Sequence, residues 1–166
     1  MSPVEVGAPK WWLRVRELFA ILLFVSLVSG CGSWVFPGKK LQVNPDVIRD
    51  IRDAGKVVSE ADMEIPWDGS STVIKILIID TESPSVKEAI NRSSNFLHSL
   101  EWKAIDQEDP LRMKSQKWKN VSLSMEPIDS YQFLELDSPQ VTKAIEMARR
   151  QTMPEALMVL ELYPTG

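Results

Sequence analysis

The chain has 166 residues, of which 44% are apolar and 25% are charged, a balance that excludes collagen-like, low-complexity and fully disordered chains. The 19 basic and 23 acidic residues give a net charge of −4, which argues against a nucleic-acid-binding surface. The single cysteine excludes an intramolecular disulfide and a cysteine-rich zinc or iron–sulfur site.

The N-terminal part of the chain has the layout of a secretory signal peptide. Three basic residues come first, and an uncharged, mainly apolar run over residues 18–28 follows them. Small residues then lead to Cys31, as they do before a cleavage point. We therefore predict a signal peptide over residues 1–30. The basic residues are Lys10, Arg14 and Arg16.

The only cysteine ends a recognisable motif. The segment Leu27-Val28-Ser29-Gly30-Cys31 resembles the lipobox of bacterial lipoproteins. This resemblance implies that Cys31 receives a thioether-linked diacylglyceryl group and becomes the mature N-terminus. Two acyl chains hold a soluble domain on a bilayer without a spanning helix. The motif predicts how the protein is anchored and leaves its activity open.

A membrane-spanning helix is the main alternative to this lipid anchor, and a buried core helix is a further one. Residues 18–38 contain no charge, and about 20 apolar residues suffice to span a bilayer. The basic residues before the run favour a cytoplasmic start for either kind of anchor. With either anchor, we therefore expect the protein at the cell membrane, with most of its chain on the extracytoplasmic side.

Residues 31–71 are predicted to form a stalk that contains one short helix. Asn44 and Pro45 are typical of a helix N-cap and of the first helical position, and Gly55 is typical of a helix end. A cluster of turn residues ends this segment. We therefore place a domain boundary there and predict an α+β domain over residues 72–166.

The pattern within residues 72–166 predicts four strands and two helices in the order βαββαβ. This order resembles the ferredoxin-like sandwich, in which two helices cover one face of a four-stranded antiparallel sheet. The predicted strands cover residues 73–79, 102–107, 119–125 and 156–163, with 131–136 as an extension or a further short strand, and the helices cover 83–100 and 138–150.

The first of these strands is apolar on both of its faces. Val73, Leu77 and Ile79 point one way, and the isoleucines between them point the other way. Two helices on one face leave the opposite face uncovered. The expected cover is the stalk, a second copy of the domain or another envelope protein. We therefore treat Val73, Leu77 and Ile79 as candidate partner contacts.

Residues that carry chemistry are few, and we predict no catalytic residue, metal or cofactor. The single histidine, His98, lacks the pattern of a catalytic triad. The acidic group Asp106, Glu108 and Asp109 lacks the spacing of a calcium-binding loop. Trp102 and Trp118 could stack a sugar or nucleobase, or could close the core.

These observations predict a membrane-anchored bacterial lipoprotein with a non-catalytic, extracytoplasmic binding or interaction domain. The alternative is a single-pass membrane protein that uses the same domain as an accessory subunit of an envelope complex. A hydrolase that uses the acidic group after residue 105 is the third hypothesis. The expected partners are the membrane and either an envelope protein or a second copy, and no nucleic acid is expected.

Overall fold

The computed structural model describes residues 39–106, 110–131 and 138–165. The predicted signal peptide and lipidated Cys31 therefore lie outside the described residues, as do Glu108, Asp109 and all of the 131–136 extension except its first residue. The contacts divide the chain into Met1–Pro37 and Gly38–Gly166, and the second unit contains every element below.

The described residues of this unit form seven strands and three α-helices. Asn44 caps the first helix, because its side-chain oxygen accepts a hydrogen bond from the Asp46 amide at 2.9 Å. Single 3₁₀ turns, Arg52–Ala54 and Pro154–Ala156, precede two of the strands. The elements are β1 (Lys40–Gln42), α1 (Pro45–Ile51), β2 (Lys56–Trp67), β3 (Ser70–Asp80), α2 (Val86–Ser99), β4 (Trp102–Ala104), β5 (Leu111–Ser115), β6 (Val121–Pro127), α3 (Pro139–Gln151) and β7 (Leu157–Pro164).

All seven strands form one mixed sheet, with the order β2-β3-β7-β6-β5-β4. The neighbours in this order are antiparallel. The short strand β1 pairs in parallel with the first residues of β3. It lies on the same side of β3 as β7, which pairs with the later residues of that strand. Three of these seven strands, β1, β2 and β3, precede α2 in the sequence, and the first two lie in the segment predicted as a stalk.

The predicted ferredoxin-like sandwich is wrong, although the broader α+β assignment agrees with the structure. The sheet has seven strands, and the two long helices lie on opposite faces. Ala89 and Leu97 of α2 pack on one face together with α1, whereas Val141 and Ala144 of α3 pack on the other. The physical reason is the two-sided apolar character of β3, because each face needs a helix of its own to exclude water.

The sheet therefore separates two hydrophobic cores. The first core lies under α1 and α2 and contains Leu77 and Ile79 of β3. The second core lies under α3 and contains Ile74, Ile76 and Ile78. Helix α3 therefore covers the second face of β3. Within the described residues, we find no helix with both the length and the apolar character that crossing a membrane requires.

Candidate functional site

An open groove lies on the second face of the sheet, beside α3. That helix packs on β2 and β3, and no member of the second core comes from β4, β5 or β6 among the described residues. Among the residues that the structure describes, no helix covers the far half of this face, and a cavity of about 900 Å³ lies there. We call this cavity the polar groove. The described residues that line it are Ile105, Pro110, Arg112, Ser122, Leu123, Ser124, Glu126, Ser130, Glu161 and Tyr163.

Strand register brings the polar groups of this groove into one row. Arg112 on β5 pairs with Ser124 on β6, and Ser124 pairs with Glu161 on β7. Side chains alternate between the faces of a strand, so these three residues share the groove face. Their apolar neighbours Met125 and Leu160 belong to the first core instead. The same alternation that fills the first core thus makes the opposite face of these strands polar.

Glu161 forms the floor of the polar groove. The residue is only 7% exposed, which is unusual for a glutamate. The hydroxyl of Tyr131 donates to its Oε1 at 2.6 Å, and that of Ser124 donates to its Oε2 at 3.1 Å. The Tyr163 hydroxyl also donates to Oε2. Three hydroxyl groups therefore satisfy a carboxylate that burial would otherwise penalise.

The two tyrosines act as neutral donors over a wide pH range. Burial raises the pKa of the Tyr131 and Tyr163 phenols well above their ordinary value, and the adjacent Glu161 carboxylate raises it further. A phenolate beside this carboxylate would place two negative charges within hydrogen-bonding distance of each other. Both hydroxyls therefore keep their protons and continue to donate to Glu161.

Arg112 supplies the positive charge of the groove. Its side chain is exposed, and it forms no ion pair within the described part of the chain. Two strand spacings separate it from Glu161, which corresponds to roughly 10 Å between the two positions in the sheet. The groove therefore presents a cation at its rim and a hydrogen-bonded carboxylate at its floor.

The groove can recognise polar groups at both ends of a ligand. A carboxylate has about four lone-pair positions, and three donors leave one position of Glu161 for a ligand N–H or O–H. The Arg112 guanidinium suits a carboxylate or phosphate, because its planar N–H groups can donate two parallel hydrogen bonds. Among the described residues, no group of three or more metal-ligating side chains is arranged to hold a metal ion.

The residues singled out from the sequence lie elsewhere. Leu77 and Ile79 are fully buried in the first core, and Val73 is half-buried. Trp102 is 2% exposed in the same core, and Trp118 packs against that core from its edge. None of these five side chains lines the polar groove.

The remaining chemical candidates also lie outside the groove. His98 is exposed near the end of α2, and its Nδ1 lies 2.8 Å from the carbonyl oxygen of Trp102. This contact ties the end of α2 to β4. Asp106 is the only residue of the predicted acidic group that the structure describes, and it does not line the groove.

Sequence reasoning missed the residues that build this site. Glu161 interrupts an otherwise apolar run over residues 157–162, and a charge in such a strand was a usable signal. Arg112, Ser124 and the two tyrosines carry no comparable signal. They come together only through strand pairing and through the path of the chain after β6.

No protein-family model, curated protein or solved structure matches this chain. The chemistry of the groove therefore has to be interpreted from its own residues.

Proposed function

We propose that the protein is a membrane-tethered, extracytoplasmic binding protein whose polar groove holds a short zwitterionic ligand such as a peptide. The observation that carries this proposal is the row formed by Arg112, Ser124 and Glu161. It places opposite charges on one open face, with the carboxylate already oriented by three hydroxyl donors.

The dimensions of the groove favour a ligand of this size. A volume of about 900 Å³ is within the range of small-molecule sites. Arg112 and Glu161 are roughly 10 Å apart, and three extended residues span about 10 Å. A tripeptide can therefore place its carboxylate against the guanidinium and its amino group near the floor. A second carboxylate, that of Glu126, also lines the groove and favours a cationic group there.

The support for a membrane tether comes from the sequence. The lipobox-like segment that ends at Cys31 follows a basic region and an apolar run, which is the order found in lipoprotein precursors. A binding protein on the outer face of a membrane gains from such a tether, because the tether keeps it at the surface while its groove stays in water.

Thermal unfolding of the purified full-length protein with triglycine as the probe tests the groove. Triglycine at ten times its dissociation constant should raise the free energy of unfolding by about 1.4 kcal/mol. Arg112→Gln and Glu161→Gln should each weaken binding by about tenfold, because each removes one charged end of the site.

Arg49→Gln is the matched control for this experiment. Arg49 is an exposed arginine on α1, which covers the opposite face of the sheet. We expect this variant to bind triglycine like the unaltered protein. Equal responses of all three variants, or no stabilisation by triglycine at any concentration, would contradict a zwitterion site.

A further inference from the structure

Trp67 is exposed at the tip of the β2–β3 hairpin. Its side chain is 75% exposed, although tryptophan carries a large apolar surface. Asp68 and Gly69 form the turn, and both have positive φ angles of 29° and 74°. Such a tight two-residue turn fixes the hairpin tip and holds the indole outward.

The chain enters the folded unit at the same end of the sheet. The Ser71 amide donates to the carbonyl oxygen of Lys39 at 3.1 Å, and Lys40 pairs with Ser71 in the β1–β3 register. The hairpin tip is thus adjacent to the first described residue. Lys39 is eight positions after Cys31, a distance along the chain that spans at most about 29 Å when fully extended.

Two lysines lie at the same end of the sheet as Trp67. We call this end the entry end and define it by Trp67, Lys39 and Lys119. Lys119 lies just before β6, whose first residue, Val121, pairs with Pro164 of β7. This part of β7 lies beside the start of β3, because Leu162 pairs with Lys75. Lys119 is therefore at the entry end. Lys39 and Lys119 are exposed and form no ion pair with any described residue. Exposed lysines near a bilayer attract anionic headgroups.

We propose that the entry end rests on the phospholipid headgroups of a bilayer, with the Trp67 indole in the membrane interface. The inference depends on the proposed membrane tether, which limits how far this end can lie from the bilayer. Indole rings favour this layer, since their apolar body and their N–H group are both accommodated there. The polar groove opens on a face of the sheet, so this orientation leaves it accessible from water.

Quenching by lipid-borne nitroxides tests the proposal on the full-length protein, purified from membranes and reconstituted into vesicles that contain phosphatidylglycerol. The nitroxide is placed at headgroup depth, and the emission of Trp67 is obtained by subtracting the spectrum of Trp67→Phe. Since Trp67 is exposed, this substitution leaves the core intact.

Met153 provides a matched control position. It is 77% exposed and precedes β7, near the opposite end of β3. The eleven residues of β3 separate the two ends by roughly 35 Å. In the Trp67→Phe background, Met153→Trp restores an exposed indole far from the entry end. We expect strong quenching of Trp67 and little quenching of the new tryptophan.

Charge reversal tests the contribution of the lysines. The double variant Lys39→Glu and Lys119→Glu should reduce the quenching of Trp67 by roughly half, because attraction to anionic lipid is electrostatic. Lys87→Glu is the control, since Lys87 is exposed at the start of α2, at the other end of β3. Replacing phosphatidylglycerol by phosphatidylcholine should act like the double variant.

Mass spectrometry of Cys31 in the same preparation separates this inference from the tether on which it depends. A lipidated protein whose Trp67 escapes quenching overturns the inference alone. An unmodified Cys31 with quenched Trp67 overturns the lipid tether and supports the membrane contact. Equal quenching of both indoles overturns the proposed orientation, and a protein that does not associate with the vesicles overturns both proposals.

Discussion

The Tyr131 hydroxyl lies 2.6 Å from Glu161 Oε1, and this hydrogen bond joins the chain after β6 to the middle of β7. The two residues are 30 positions apart in the sequence. Tyr163 donates to the other oxygen of the same carboxylate from two residues away. Ser124, 37 positions away, donates to that second oxygen as well. The site therefore depends on two long-range contacts and one local contact to a single buried group.

Loss of the Tyr131 hydroxyl should destabilise the protein. Tyr131→Phe removes a donor from a buried carboxylate, and we expect the free energy of unfolding to fall by about 1–3 kcal/mol. Urea denaturation measures this change. Ser99→Ala is the control, because the Ser99 hydroxyl bonds to a carbonyl oxygen on the exposed surface of α2. An unchanged unfolding midpoint in Tyr131→Phe would show that the contact contributes nothing.

Alkaline pH should unfold the protein while its tyrosines are still protonated. Burial raises the pKa of both phenols in the folded state, whereas in the unfolded chain it returns to about 10. The resulting stabilisation is complete below pH of about 10 and is lost as the pH rises further. The chain has only two tyrosines, so tyrosinate absorbance reports these two groups alone.

We expect this absorbance to rise together with the loss of the circular dichroism of the fold. The double variant Tyr131→Phe and Tyr163→Phe should be less stable at neutral pH and should lose less of its stability above pH of about 10. Free titration of both tyrosines near that pH in a protein that stays folded would contradict the buried site.

Two glycines should respond differently to substitution. A Cβ on Gly55 would lie 2.8 Å from the Asp80 carbonyl oxygen, so Gly55→Ala must displace backbone and should cost about 1–3 kcal/mol of unfolding free energy. Gly69 has open space around it but a φ of 74°. Gly69→Asn should therefore be tolerated, because asparagine adopts this conformation readily. Equal losses in the two variants, measured by thermal unfolding, would contradict this distinction.

Cys31→Ala tests the tether. If Cys31 is lipidated, this variant should lose the mass of the diacylglyceryl group and keep its signal peptide, as mass spectrometry can determine. A chain carrying a spanning helix would instead keep the same mass apart from the substituted side chain. Thiol labelling of the unaltered protein provides the control, since a lipidated cysteine cannot react. Free reaction of Cys31 in the membrane-bound protein would exclude the lipid anchor.

Local features of the fold followed from the sequence alone. Asn44 and Pro45 begin α1, Pro139 begins α3, and the β-branched run within β3 is a strand. These signals are local, because a cap, a fixed φ or a side-chain period acts within a few residues. The apolar character of β3 on both faces also implied correctly that both faces must be covered.

Only the tertiary structure decided which element supplied each cover and where the groove lies. The β2–β3 pairing is itself local, because the two-residue turn Asp68–Gly69 joins these strands into a hairpin. By contrast, Arg112 and Glu161 lie on one face because the three strands β5, β6 and β7 align in register. The pairing of β6 with β7 is non-local, since the long connection through α3 sets no register by itself, and the buried surface of both cores selects it.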